Sequence, residues 1–251
     1  MDCLDTKIYY LVLMLLCISY PILRSFEKRL RFYKNWKQLG ISTLCMMLVF
    51  IPWDIVFTQL SIWSFNDKYI IGTKLLYLPI EEWMFFVFVP YACVFIHEVL
   101  LYFFPINHPL SFIKKLNILL ACVLLTVGIF FFDKTYTSVC FILSSGFLSV
   151  FQRKNDILLT SVYRTYLVSL IPFLIVNGIL TGSITKEPIV IYDDFHITTL
   201  RILTIPIEDF VYCFFMLGLT IWVYESLKQK SPGFLQDFLR SGRDSNPRPH
   251  A

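Results

Sequence analysis

The feature that most constrains this chain is where its charges fall. They collect in short stretches between apolar runs long enough to cross a bilayer, which takes about 20 residues. Seven runs can be marked, at about 6–23, 40–60, 79–104, 116–132, 137–151, 158–178 and 204–226. Composition points the same way: 57% of residues are hydrophobic and 16% charged, whereas soluble domains carry about a quarter charged. The predicted fold is all-α, a polytopic membrane helical bundle of seven transmembrane helices. The first run does not read as a cleaved signal, because Lys28, Arg29 and Arg31 follow it without a small-residue cleavage site. The seven Cys are scattered and form no CxxC, so they read as small buried hydrophobes. A net charge of +4 without a basic stripe or a zinc or helix-turn-helix pattern excludes a nucleic-acid partner from the expectations.

Basic residues set the expected orientation. Twelve gather on one side: Arg24, Lys28, Arg29, Arg31, Lys34, Lys37, Lys114, Lys115, Arg153, Lys154, Lys228 and Lys230. Six lie on the other: Lys7, Lys68, Lys74, Lys134, Lys186 and Arg201. The reading is a multi-pass protein of the cell membrane with its N-terminus outside and its C-terminus cytoplasmic.

The chain also repeats itself. Ile51-Pro52-Trp53 is echoed by Ile171-Pro172-Phe173, and Leu78-Pro79-Ile80-Glu81-Glu82-Trp83 by Ile205-Pro206-Ile207-Glu208-Asp209-Phe210. The second alignment sets Glu98 against Glu225 without a gap. With a repeat unit of three helices, the expected division is a first repeat over 1–105, a linking span within 106–136 and a second repeat over 137–230. One linking span makes the two repeats parallel. The tail 231–251 looks foreign, and read-through into an antisense tRNA gene is the expected cause.

An ionisable residue inside a bilayer is a functional candidate by default. Counting along the runs puts Asp54, Glu81, Glu82, Glu208 and Asp209 in the outer half, with Asn177 at the same level. Glu98, Glu225 and Arg164 form a separate inner group, with Arg164 read as a structural partner of Glu225 or Glu98. Adjacent acids on a helix point about 100° apart, so one of each pair can face a cavity squarely. A purely structural reading also exists, since acids after Pro79 and Pro206 complement a positive helix end. Two matched pairs beside Asp54 favour the functional one. Trp53, Phe85, Tyr212 and Asn177 are candidates to line a substrate cavity. Trp53, Trp63 and Trp83 also suit interfacial anchoring, and His97 and His108 read as interfacial.

A carboxylic acid in an apolar pocket, with a second acid beside it, can stay protonated at neutral pH. Such an acid can protonate an electron-rich carbon–carbon double bond. The cation formed gains from aromatic faces and from the exclusion of water. That chemistry suits a polyene dissolved in lipid.

The stretch from Trp53-Asp54 through Trp63, Phe65, Asn66 and Gly72 to Pro79-Ile80-Glu81-Glu82 resembles the first half of the membrane lycopene cyclases. These are the heterodimeric and fused type of bacteria, archaea and fungi. Arg164, Pro172, Asn177-Gly178, Thr181-Gly182, Arg201 and Pro206-Ile207-Glu208-Asp209 resemble the second half. The resemblance spans about 5–228, with both halves fused in one chain. It implies a lycopene β-cyclase of carotenoid biosynthesis, an isomerase that closes linear carotene end groups into β-ionone rings. Glu81, Glu82, Glu208 and Asp209 become the catalytic candidates, with Asp54 in support and Glu81 or Glu208 as the expected proton donor. Net redox change is zero, so stoichiometry calls for no electron carrier. No GxGxxG is present, and neither a cofactor nor a metal is expected. The expected partners are the lipid-dissolved carotenoid and the membrane, and a homo-oligomer is compatible.

Three other readings compete. A proton-coupled transporter would also use intramembrane acids and repeats, but these acids sit toward one side. A retinal protein needs a lysine in the last helix, and 204–226 has none. A prenyl-diphosphate enzyme needs two acidic clusters for Mg²⁺, and Asp193-Asp194 stands alone.

Overall fold

Polar backbone groups in lipid must bond within their own segment, which leaves helices as the natural form for the apolar runs. The computed structural model describes residues 6–229. Among them are seven α-helices: α1 (Tyr9–Arg24), α2 (Trp36–Gln59), α3 (Ile80–Phe103), α4 (Ile113–Phe130), α5 (Thr135–Phe151), α6 (Asp156–Leu180) and α7 (Ile207–Gln229). A short 3₁₀ turn, Phe32–Asn35, leads into α2. Five helices, α2, α3, α4, α6 and α7, are long and apolar enough to cross a membrane by length and composition. The other two, α1 and α5, are shorter apolar helices of 16 and 17 residues. The foreign-looking tail 231–251 lies outside the described residues.

The helices carry apolar side chains on their outer as well as their inner faces. Leu48, Phe130, Leu167 and Ile171 are exposed. Ser42, Asn117, Ser144, Thr165 and Thr220 are buried between helices. This inverts the soluble pattern of a polar exterior and fits a lipid-facing surface.

The expectation of a purely helical chain needs one correction. Six short strands form three two-stranded antiparallel ladders in the loops at one end of the bundle. They are β1 (Trp63–Phe65), β2 (Lys74–Leu75), β3 (Leu78–Pro79), β4 (Val190–Tyr192), β5 (Arg201–Ile202) and β6 (Ile205–Pro206). The hairpins β2–β3 and β5–β6 deliver the chain into α3 and α7 respectively, with Lys74 opposite Pro79 and Arg201 opposite Pro206.

Residues whose numbers differ by 127 make the same bonds. Ile80 N donates to Thr73 O and Ile207 N to Leu200 O, both at 3.0 Å. Tyr69 O accepts from Tyr10 N, and His196 O from Tyr136 N, the acceptors again 127 apart and the donors 126. Ser64 meets Ile191 at the centre of the β1–β4 ladder, as a local two-fold axis through that point would require. This ladder, together with Asn66 N donating to Ile189 O and Lys68 paired with Glu187 at 2.6 Å, ties the two long loops into a cap over the bundle. Burial between α1, α2, α3, α5, α6 and α7 then encloses a space beneath the cap.

Candidate active site

The acidic motifs open helices because Pro79 and Pro206 each close a hairpin with a backbone angle suited to entering a helix. Each motif then splits its two acids. Glu81 turns back to the loop before its hairpin and accepts from Ile71 N at 2.8 Å. Glu208 does the same, accepting from Thr198 N and Thr198 Oγ1 at 2.8 Å and from Thr137 Oγ1 at 2.5 Å. Both are fully buried, and both staple a loop to a helix start. Glu82 and Asp209, about 100° further round their helices, point inward instead.

There they meet a cavity whose empty space, open mouth included, comes to about 920 Å³. Asp54, Glu82 and Asp209 stand on its wall together with Asn177, Phe85 and Tyr212. Along α3 the wall runs from Glu82 to Ile96, a rise of about 21 Å at 1.5 Å per residue. Beyond the acids it is lined by apolar side chains such as Val89, Ala92, Phe173, Val176 and Met216. The space is thus long and narrow, acidic at the capped end and greasy along the rest.

Tyrosines hold the acids. Tyr10 Oη donates to Glu82 Oε2 at 2.5 Å. Asp209 accepts from Tyr136 Oη at Oδ1, 2.8 Å, and from Asn177 Nδ2 and Tyr192 Oη at Oδ2, 2.8 and 2.9 Å. Tyr192 lies in the cap, where burial first and the neighbouring Asp209 carboxyl second push its phenol well above the usual range. It therefore serves as a donor at every working pH. Asp54 Oδ1 accepts from Trp63 Nε1 at 2.7 Å. Rings of Trp63, Tyr136, Tyr192 and Tyr212 crowd the same end, with Trp63–Tyr136 centroids 5.1 Å apart and Tyr136–Tyr192 stacked at 6.0 Å.

Several expectations change here. Glu81 and Glu208 do not face the cavity, so neither is placed to hand a proton to a substrate. Trp53 is not on the wall: it packs behind it, 5.1 Å from the Tyr212 ring. Trp63 is no interfacial anchor but a buried wall residue. His97 is not interfacial but fully buried between Thr165 Oγ1 at 3.0 Å and Glu225 Oε1 at 3.1 Å, whereas His108 is exposed. Arg164 pairs with neither Glu98 nor Glu225. It donates to the carbonyl of Phe104, and Lys228 takes both acids instead. The sequence reading missed Tyr10, Tyr136 and Tyr192. Their only local signal was an aromatic at the start of an apolar run or in a loop, which is common in membrane proteins.

The lycopene cyclase family model matches the chain in two stretches, residues 6–100 and 133–227. A bifunctional lycopene cyclase/phytoene synthase of Podospora anserina is 33% identical over 107 residues, 43% of this chain and 16% of the relative. One of Neurospora crassa is 29% identical over 104 residues, 41% of this chain and 16% of the relative. The matched stretch is thus about one sixth of each curated relative's length. No solved structure matches. The two matched stretches together cover about three quarters of the chain, and the chain belongs to the lycopene cyclase family.

Proposed function

We propose that the chain is a lycopene β-cyclase that closes linear carotene end groups into β-ionone rings inside the membrane. The observation that carries this reading is a single elongated cavity with Asp54, Glu82 and Asp209 at one end and apolar walls along the rest. An acid of this cluster protonates the terminal double bond of the polyene. The neighbouring alkene attacks the resulting cation, and a carbon–carbon bond closes the ring. A carboxylate of the cluster removes a ring proton, so atoms balance and no electrons are exchanged. Aromatic faces beside the acids stabilise the cation, and the cap of paired loops keeps water from quenching it. Asp209 accepts three hydrogen bonds and is assigned as the fixed anion facing that cation. Glu81 and Glu208 are assigned to holding the cap, and Phe85, Asn177 and Tyr212 to shaping the substrate's end group.

The same reading gives seven spans, with α1 and α5 completing the five longer helices. It divides the chain into repeats over 1–105 and 137–230 joined by a linking span, with the 127-residue correspondence of bonds in support. Lys and Arg placement supports an outside N-terminus, a cytoplasmic C-terminus and residence in the cell membrane. The cap and its acids then sit at the outer side.

The test is expression in cells that accumulate lycopene, with pigments separated by chromatography. Ring-containing carotenes are expected. Unchanged lycopene in membranes that contain the inserted protein would overturn the reading.

A further inference from the structure

Three buried carboxyl oxygens find no partner among the described residues: Asp54 Oδ2, Glu81 Oε2 and Glu208 Oε2. Only the first belongs to a residue on the cavity wall. Asp54 is 2% exposed, and its other oxygen, Oδ1, is fully engaged. It takes the indole N–H of Trp63 at 2.7 Å and faces the hydroxyl of Thr58 at 3.4 Å. A second bond from Trp63 Nε1 to Thr58 Oγ1 at 3.1 Å closes a small triangle.

Trp63 is itself rigidly placed. After α2 the chain reverses through Ser61 in the left-handed region, φ 56°, and Ile62 N donates back to Phe57 O at 3.0 Å. The backbone of Trp63 then pairs with Tyr192 across the β1–β4 ladder. Its ring lies 5.0 Å from Phe57 and 5.1 Å from Tyr136. The indole thus reaches Asp54 nine residues back, from a cap whose other strand comes from the second half of the chain. Glu82 and Asp209 are held differently, by flexible phenol hydroxyls and an amide.

We propose that Trp63 is a positioning residue for Asp54, whose free oxygen Oδ2 is the atom that gives the first proton to the polyene. The assignment rests on the cyclase reading and deepens it. The O–H bond at Oδ2 breaks as a C–H bond forms at the terminal alkene. After ring closure a ring C–H bond breaks, its electron pair becomes the new double bond, and the proton returns to the acid cluster. By filling Oδ1, the indole fixes which lone pairs of Asp54 face the substrate. An acid free to rotate about its side-chain bonds would spend much of its time misaligned, and small misplacements cost rate steeply.

The experiment uses the full chain in liposomes with lycopene, comparing wild type, Asp54→Asn, Trp63→Phe, the double variant and Glu82→Gln. Asp54→Asn keeps an oxygen for the indole, so packing is preserved, and it is expected to lower kcat by about 100-fold or more. Trp63→Phe is expected to lower kcat by about 10-fold, toward the low end of misplacement effects, with KM unchanged within about twofold. The double variant should be no slower than Asp54→Asn, because the indole then has nothing to aim. If Trp63→Phe melts early, replacing Trp63 by 3-benzothienylalanine removes only the N–H and gives the same readout. A raised KM with multiplying losses would show that Trp63 acts on the substrate independently of Asp54 and would overturn the proposal. Full activity of Asp54→Asn beside an inactive Glu82→Gln would move the first proton to Glu82, again overturning it. A wild-type protein that forms no ring product would instead sink the cyclase reading itself.

Discussion

Tyr136, at the start of α5, donates its hydroxyl to Oδ1 of Asp209 on α7 at 2.8 Å. Tyr10, at the start of α1, makes the corresponding bond to Glu82 on α3. Each acid is thus held by a helix distant in sequence. Asp209 has two further donors, so Tyr136→Phe should leave the anion in place and lower kcat by about tenfold. Asp209→Asn replaces the charge itself and should cost about 100-fold or more, as losses of preorganised charge stabilisation do. Pigment formation rates in isolated membranes separate the two. Equal losses would contradict the fixed-anion role.

Within each acidic motif the outer acid should be dispensable for chemistry. Glu81→Gln keeps a carbonyl oxygen for Ile71 N–H and should retain activity within about tenfold. Glu82→Gln should lose about 100-fold or more, the usual scale for removing a positioned acid or base. Glu81→Leu removes the acceptor, leaves a backbone donor unsatisfied and should cost about 1–3 kcal/mol of stability. Thermal unfolding in detergent beside turnover checks both halves of the statement.

At the opposite end of α3, Lys228 is paired with Glu98 and lies 3.8 Å from Glu225, which also meets His97. Removing one partner of a fully buried pair leaves an uncompensated charge at about 3–5 kcal/mol, and this pair is partly buried, with the Lys228 side chain 21% exposed, so the cost should fall below that range. Lys228→Met should therefore destabilise, and adding Glu98→Gln should recover part of the loss. This group lies far from the capped acids, so the folded double variant should cyclise at close to the wild-type rate. Melting curves for the single and double variants are the measurement.

Gly72 and Thr199 occupy corresponding points before the two hairpins, and both are left-handed, φ 96° and 62°. Glycine accepts that backbone without cost, whereas a β-branched residue there is strained by about 1–3 kcal/mol. Thr199→Gly should raise stability by about 1 kcal/mol after the entropy cost of glycine is subtracted. An unfolding midpoint lower than wild type would show that the side chain of Thr199, bonded to Thr198 O at 2.6 Å, outweighs the strain.

In the cap, Lys68 and Glu187 pair at 2.6 Å on the surface. The bond from Lys68 holds the Glu187 carboxyl below its usual range. A depressed carboxylate contributes stability above its unfolded pKa and loses it as pH falls through the lower folded value. The contribution should thus be constant from pH 8 to about 5 and vanish in stronger acid, by the ordinary glutamate range. Because the pair is exposed, Glu187→Gln should shift the neutral-pH melting point little.

What the sequence determined by itself is what lipid imposes on a chain. Apolar runs near 20 residues become helices because, short of a closed barrel of shorter strands, no other backbone arrangement satisfies itself in hydrocarbon. The seven marked runs fall on the seven helices, with ends displaced by a few residues. Intramembrane acids could be singled out because their burial is too costly to be incidental. The tertiary structure decided which acids meet. Neighbours such as Glu81 and Glu82 share composition and depth, and only the hairpin before α3 turns one to the loop and the other to the cavity. Trp63 lies next to a span end and looked like an anchor. Antiparallel pairing with Val190–Tyr192, far along the chain, folds it inward over Asp54. Long-range strand pairing leaves no local periodicity in three residues, so the cap, its tyrosines and the choice of acids belonged to the fold alone.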